Sequence, residues 1–131
     1  MNILDCLGGR GPINPPVSKE KIAAALSQFP KAPVDLVAIW RQCDGFLLHD
    51  GLKLYSTDEI VERNETYQLE ENARHFALIG DDSGGRAILL QSALPNSPVY
   101  ICDMGFLDAD YFALIGSNIF EWIQNGCPVD E

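Results

Sequence analysis

The chain has 131 residues, of which 47% are hydrophobic, and its 19 acidic and 9 basic residues give a formal net charge of −10. That length favours a single domain with one core, and the composition excludes a disordered chain. The acidic excess disfavours binding to nucleic acid or anionic membranes and favours basic protein partners, although acidity also serves solubility alone.

The four cysteines and two histidines do not form a metal-binding pattern, since no CxxC pair occurs. We therefore expect no metal, no cofactor and reduced thiols in a cytoplasmic protein. The first residues lack the basic and apolar regions of a signal peptide. No apolar run approaches the roughly 20 residues that span a bilayer, so we expect no membrane association.

Glycine and proline are frequent in residues 8–16. We therefore expect residues 1–17 to form an irregular N-terminal segment and residues 18–131 to form the domain. Ser18 is the expected N-cap of a short helix over residues 19–29.

A second helix is expected to begin at Pro33 and to end before Gly45. Its apolar positions recur at helical spacing and predict a stripe that faces the core: Leu36, Ile39, Trp40 and Cys43.

The turn His49-Asp50-Gly51 predicts a hairpin of two short strands, because Asp-Gly is favoured in such turns. Ser56 and Glu59 form a possible capping box for a third helix that runs to about Asn72. That helix has many acidic and few apolar residues, so most of its surface is expected to face solvent.

The stretch IGDDSGGRAILL, residues 79–90, has three interpretations. It resembles the sequence around the nucleophilic serine of trypsin-like proteases. A nucleophile at Ser83 needs a general base, however, and His75 is expected at the far end of the preceding strand. A phosphate-binding loop would lead into a helix, whereas this stretch continues as a strand.

A metal site at Asp81 and Asp82, with Asp103, Asp108 or Asp110, would suit Ca²⁺ or Mg²⁺, but EF-hand spacing is absent. The pattern favours a β-hairpin turn, because glycine adopts positive φ and aspartate bonds its own backbone. The expected turn residues are Gly80, Asp81, Asp82, Gly84 and Gly85.

Residues 97–104 predict a further strand. Ser117 is the expected N-cap of a last helix that ends at Gly126 and has Ile119, Phe120 and Ile123 on its apolar face. Strands in the middle and helices at both ends are typical of an α+β fold. We expect a single domain with a central, mainly antiparallel sheet flanked by helices.

Several motifs recur in this order in one known family: Asp44-Gly45 after the second helix, Leu54-Tyr55-Ser56 with Glu59-Ile60, the Ile79–Gly85 hairpin, and Ser117, Phe120 and Trp122-Ile123 at the last helix. Together they resemble the SUKH superfamily (Smi/Knr-type domain), which includes many bacterial immunity proteins. The resemblance covers residues 18 to 126 and implies a SUKH-like fold.

The resemblance also implies a non-enzymatic immunity protein that neutralises a cognate bacterial toxin such as a nuclease. We expect the chain to be a monomer or weak homodimer. An acidic surface would complement the basic groove of such a toxin. The candidate partner-binding residues are acids and aromatics of the third helix and of a later loop: Asp58, Glu59, Glu62, Glu65, Tyr67, Glu70, Glu71, Phe106, Asp108 and Asp110. Two alternatives remain: a general interaction or regulatory domain without a toxin partner, and an enzyme that uses Ser83 or the Asp81–Asp82 pair.

Overall fold

The computed structural model describes residues 2–130. Six strands form one sheet in chain order, and every neighbouring pair is antiparallel. The strands are β1 (Phe46–Leu47), β2 (Lys53–Leu54), β3 (Phe76–Asp81), β4 (Arg86–Gln91), β5 (Val99–Asp103) and β6 (Ala113–Gly116). The helices are α1 (Ile3–Leu7), α2 (Lys19–Gln28), α3 (Val34–Trp40), α4 (Ile60–Thr66), α5 (Leu69–Asn72) and α6 (Ile119–Gln124), with a 3-10 turn at Ala109–Tyr111. The predicted α+β fold with a mainly antiparallel sheet is confirmed.

The hairpin of β3 and β4 lies at the centre of the sheet, paired from Phe76↔Gln91 to Asp81↔Ala87. The inner residues of both strands are completely buried. The helices α4 and α5 pack against β3, and α6 packs against α1 and β6. Uninterrupted apolar runs fit this position, because a central strand has little exposed face.

The N-terminal segment is more ordered than the sequence predicts. Residues 1–17 were expected to be irregular, but Ile3–Leu7 form α1, and the side chain of Asn2 caps this helix by accepting from the Leu4 N–H. Ile3 and Leu7 are fully buried, on the side of α1 that meets α6. Ile3 and Leu7 are an apolar pair at i and i+4, and a single pair of this kind is not enough to predict a helix from sequence. The burial of both side chains shows that the segment belongs to the core.

The predicted third helix is in fact two helices. Gln68 adopts a left-handed conformation with φ 54° and separates α4 from α5. The Glu59 carboxylate accepts from the Ser56 N–H at 3.1 Å, which is one half of the expected capping box. The break lets Leu69 join the buried core after α4 has ended.

The last helix is capped by Asn118 and not by Ser117. The Asn118 side chain accepts from the Glu121 N–H at 2.9 Å, while the Ser117 hydroxyl donates to the Glu121 carboxylate at 2.7 Å. The buried face of α6 consists of Ile119, Trp122 and Ile123, and Phe120 is half-buried. Helical spacing of i, i+3 and i+4 from Ile119 places Trp122 and Ile123 on the buried face, whereas Phe120, at i+1, lies off that face.

The strand β6 was not predicted, because residues 105–117 show no alternation of apolar and polar residues. It pairs with β5 through Tyr100↔Leu114 and Ile101↔Ala113, with a register shift before Val99↔Gly116. Among residues 2–130, no helix has both the length and the apolar character needed to cross a bilayer.

Candidate protein-binding surface

The β3–β4 turn is built from aspartate side chains and one glycine with positive φ. The Asp82 carboxylate accepts from the Gly84 N–H at 2.8 Å and from the backbone and guanidinium of Arg86 at 2.9 and 2.8 Å. Burial opposes ionisation of Asp82, but these donors outweigh it and hold its pKa below the usual range. Gly85 has φ 98°, which only glycine adopts without strain.

The other glycines of the turn serve different purposes. A Cβ at Gly80 would overlap the carbonyl oxygen of Lys53, so glycine lets β2 approach β3. Gly84 is not left-handed, and a Cβ there would make an ordinary contact with Asp82. The turn therefore needs Gly80 for space and Gly85 for its backbone angle.

Ser83 and Asp81 join this turn to the loop between β1 and β2 and to Tyr55, the residue after β2. The Ser83 hydroxyl donates to the Gly51 carbonyl at 2.6 Å, and in the described chain neither histidine is among its hydrogen-bond partners. Asp81 accepts from the Tyr55 hydroxyl at 2.6 Å and from the Ser83 N–H at 2.8 Å. Within residues 2–130, no three His, Cys, Asp or Glu side chains converge as metal ligands would.

Four of the six candidate acids between Asp58 and Glu71 are paired with bases. The ion pairs are Asp58 with Lys21, Glu59 with Lys53, Glu62 with Arg63, and Glu70 with Lys31. These pairs are solvent-exposed or nearly so, and each reduces the negative field of the helices α4 and α5. The acidity of this face is lower than its sequence suggests.

The remaining two acids, Glu65 and Glu71, lie at a groove of about 510 Å³ between the end of α2 and the helices α4 and α5. Its apolar lining is formed by Phe29, Val61, Leu69 and Phe76, and Lys31 and Glu70 also line it. The Lys31–Glu70 ion pair measures 2.8 Å and places a positive charge at this groove. The groove is therefore mixed in charge.

A second region, around the end of β5 and β6, exposes several large hydrophobic side chains. We define the β5–β6 surface as residues 103–116, which comprise the end of β5, the following loop and β6. It holds three of the seven exposed large hydrophobic side chains of the described chain: Phe106 (56% exposed), Tyr111 (66%) and Leu114 (58%). The rings of Phe106 and Tyr111 meet edge to face with centroids 5.2 Å apart.

Hydrogen bonds between residues two positions apart fix the shape of the loop. The Asp103 carboxylate accepts from the Gly105 N–H at 2.7 Å, and the Asp108 carboxylate accepts from the Asp110 N–H at 3.0 Å. Each aspartate therefore stabilises a turn with one carboxylate oxygen. Asp103 and Asp110 are exposed and Asp108 is half-buried, so their charge reaches solvent.

Two further bonds anchor the loop to the sheet. The Met104 N–H donates to the Gly85 carbonyl at 2.7 Å, and the buried Cys102 thiol donates to the Phe106 carbonyl at 3.1 Å. A surface held in this way loses little conformational entropy when it binds a partner.

The β5–β6 surface lies in a part of the chain that carries only negative charge. After Arg86 the sequence contains no lysine or arginine, and its acids are Asp103, Asp108, Asp110, Glu121, Asp130 and Glu131. Arg86 itself is paired with Asp82 at 2.8 Å. In sequence, the two exposed rings are therefore flanked by acids alone, while in the sheet Arg86 stands opposite Asp103.

The structure divides the ten candidate residues between two regions. Phe106, Asp108 and Asp110 lie together on the β5–β6 surface, and Tyr67 lines a shallow depression that reaches Met104 and Gly105. The six acids from Asp58 to Glu71 lie on or just before α4 and α5.

Sequence reasoning missed three members of the β5–β6 surface: Asp103, as a binding residue, Tyr111 and Leu114. The signal that could have found them is the absence of any base after Arg86, combined with the exposed rings expected in a loop rich in aspartate. Comparison with known proteins found no family that matches this chain and no relative among curated proteins.

Proposed function

We propose that this chain is a non-enzymatic immunity protein that binds and neutralises a basic protein toxin in the cytoplasm through its β5–β6 surface. One observation carries the proposal: Phe106 and Tyr111 pack on each other while both are more than half exposed. Clustered exposed aromatics are the usual anchors of protein interfaces.

The surroundings of the two rings indicate the chemistry of the partner. Asp110 is exposed and adjacent to Tyr111 in sequence, and the chain supplies no base after Arg86, which is itself paired with Asp82. Such a surface attracts a basic protein, and charge steering raises association rates by about 10- to 1,000-fold. A toxin that acts on nucleic acid carries a basic groove, and its neutralisation requires that groove to be covered.

The test is a rescue assay. The C-terminal domain of the protein encoded beside this chain is expressed in bacterial cytoplasm with and without the chain. We expect growth arrest that this chain relieves, and a complex that co-purifies through extensive washing and weakens as salt increases.

Variants then locate the interface. Phe106→Ala combined with Tyr111→Ala is expected to weaken the complex by at least about 100-fold, as loss of two hot-spot residues does. Leu94→Ala is the matched control, because Leu94 is an exposed apolar residue on another loop. Asp110→Asn is expected to slow association more than Glu20→Gln, which removes an exposed acid on α2.

The outcomes separate this proposal from its alternatives. A harmless neighbour, with binding only to other basic proteins, would support a general interaction domain of the same fold. Toxicity relieved equally by wild type and by the aromatic variant would show that the interface lies elsewhere, with the α2–α5 groove as the next region to test.

A further inference from the structure

The two edges of the sheet differ in whether another segment of the chain pairs with them. At β1 the edge is covered by the N-terminal segment: Ile13 forms a bridge with Phe46, and the Leu47 N–H donates to the Pro12 carbonyl at 3.0 Å. The His49 N–H also donates to the Arg10 carbonyl at 2.6 Å. The backbone groups along this edge therefore have partners within the chain.

At β6 the edge is open. The strand pairs with β5 on one side, and among residues 2–130 it has no strand on the other. Backbone groups on the free side of an edge strand are available to a further strand. Phe112 has extended dihedral angles, φ −69° and ψ 128°, so extended backbone continues from residue 112 to residue 116.

The sequence of β6 lacks the usual protection of an exposed edge. Natural edge strands commonly carry lysine, another charge or proline, which block pairing with other chains. The four residues of β6 are Ala-Leu-Ile-Gly, without charge or proline, and Leu114 is 58% exposed. The register shift between Leu114 and Gly116 leaves Ile115 as an extra residue, so the regular part of this edge is residues 112–114. An apolar edge of this kind favours addition of a strand.

The charge around the edge indicates which strand is added. A second copy of this chain would bring together two proteins of net charge −10, with Asp108 and Asp110 next to the paired edges. Repulsion between them opposes self-pairing, whereas a basic segment is attracted. The charge pattern therefore favours a basic partner over a homodimer.

From these observations we infer that β6 is a docking edge that pairs, backbone to backbone, with an extended basic segment of the partner protein and so adds a seventh strand to the sheet. This inference rests on the proposed protein-binding function and names its mode of recognition. Main-chain hydrogen bonds supply affinity, an apolar side chain of the partner covers Leu114, and lysine or arginine faces Asp110.

The experiment does not require the toxin. The probe is a synthetic eight-residue peptide of alternating valine and lysine, added to the intact chain and followed by amide hydrogen exchange and NMR shifts. We expect binding with slowed exchange at residues 112–116. A peptide of the same sequence with every backbone amide N-methylated keeps the side chains and the charge, but it is expected to bind at least about 10-fold more weakly, because strand addition depends on main-chain donors.

Two exposed leucines provide matched protein variants. Leu114→Lys places a lysine on the edge and is expected to weaken peptide binding by at least about 10-fold, since edge lysines block strand addition. Leu94→Lys adds the same charge at an exposed position outside the sheet and is expected to leave binding nearly unchanged. An alternating valine–glutamate peptide is expected not to bind.

Three results would overturn the inference. They are absence of peptide binding, equal binding of the N-methylated peptide, and protection of α4 and α5 in place of residues 112–116. Dimerisation of the free chain with protection of β6 would reject the basic partner in favour of a second copy. A positive peptide result with a failed rescue assay would retain the docking edge and reject only the toxin.

Discussion

The side-chain amide of Asn64 makes the two hydrogen bonds with the Leu78 backbone that a neighbouring strand would otherwise make. Its Nδ2 donates to the Leu78 carbonyl at 2.9 Å, and its Oδ1 accepts from the Leu78 N–H at 2.9 Å. The strand β2 has only two residues and pairs with β3 only at Gly80 and Asp81. A buried side chain from α4 therefore satisfies backbone groups that this short strand does not reach.

Replacing Asn64 should show how much these two hydrogen bonds contribute to the free energy of unfolding. Asn64→Ala leaves both backbone groups of Leu78 buried without these partners, so we expect the free energy of unfolding to fall by about 2–4 kcal/mol. The exposed Asn72, whose side chain donates to the Tyr67 carbonyl at 3.3 Å, is the control. Asn72→Ala should change the unfolding free energy in urea by less than about 0.5 kcal/mol. Equal effects of the two variants would contradict the role given to Asn64.

Adjacent glycines in the β3–β4 turn provide a second comparison. Gly85→Ala should destabilise the protein by about 1 kcal/mol or more, because alanine resists φ 98° even though no atom lies within 4 Å of the added Cβ. Gly84→Ala should cost less than about 0.5 kcal/mol. Thermal or urea unfolding of both variants measures the difference, and identical stabilities would argue against the turn geometry.

The hydrogen bond from Tyr55 to Asp81 predicts a specific dependence on pH. Burial, with the adjacent Asp81 carboxylate, raises the pKa of Tyr55 well above the ordinary value of 10.0. The folded state keeps this proton while the unfolded state loses it, so the stabilisation is complete below pH 10 and declines above it. Tyr55→Phe should destabilise by about 1–3 kcal/mol at pH 7.

The difference between wild type and Tyr55→Phe should then shrink by about 1.4 kcal/mol at pH 11. Urea unfolding at the two pH values measures it, and the comparison cancels other groups that titrate in both proteins. A difference that stays constant from pH 7 to pH 11 would show that Tyr55 ionises equally in both states.

The cysteines should differ sharply in reactivity. Burial raises the pKa of the Cys43 thiol to about 11 and that of Cys127 to about 12, so both remain protonated at neutral pH. Cys102 is also buried, while Cys6 is partly exposed. We expect one thiol per chain to react rapidly with a colorimetric thiol reagent at pH 8, and four after denaturation. Rapid reaction of a Cys6→Ser variant would contradict this assignment.

Replacing Ser83 tests whether this residue has a structural role in the turn or a catalytic role. Ser83→Ala removes the exposed hydrogen bond to the Gly51 carbonyl, and we expect a loss of less than about 1 kcal/mol with toxin neutralisation unchanged. Loss of neutralisation by a variant that folds normally would favour the hydrolase hypothesis over the binding hypothesis.

The sequence alone determined the elements whose signals are local. Unbroken apolar runs identified β3, β4 and β5, and helical spacing placed Trp40 and Cys43 in the core. Ser18 was recognised as a cap, and its side chain accepts from the Lys21 N–H. Each of these signals depends on neighbours within a few residues, so no tertiary information is needed.

Tertiary structure decided the rest. The helix α1 is short and depends on packing against α6, and β6 exists because β5 offers a pairing edge. Ion pairs such as Lys21–Asp58, 37 residues apart, neutralise acids that appear free in the sequence. Exposure of Phe106 and Tyr111, and the difference between a covered and an open sheet edge, also depend on contacts between distant residues. Local patterns therefore identified the central strands of the sheet, and long-range contacts determined its last strand and which of its surfaces are exposed.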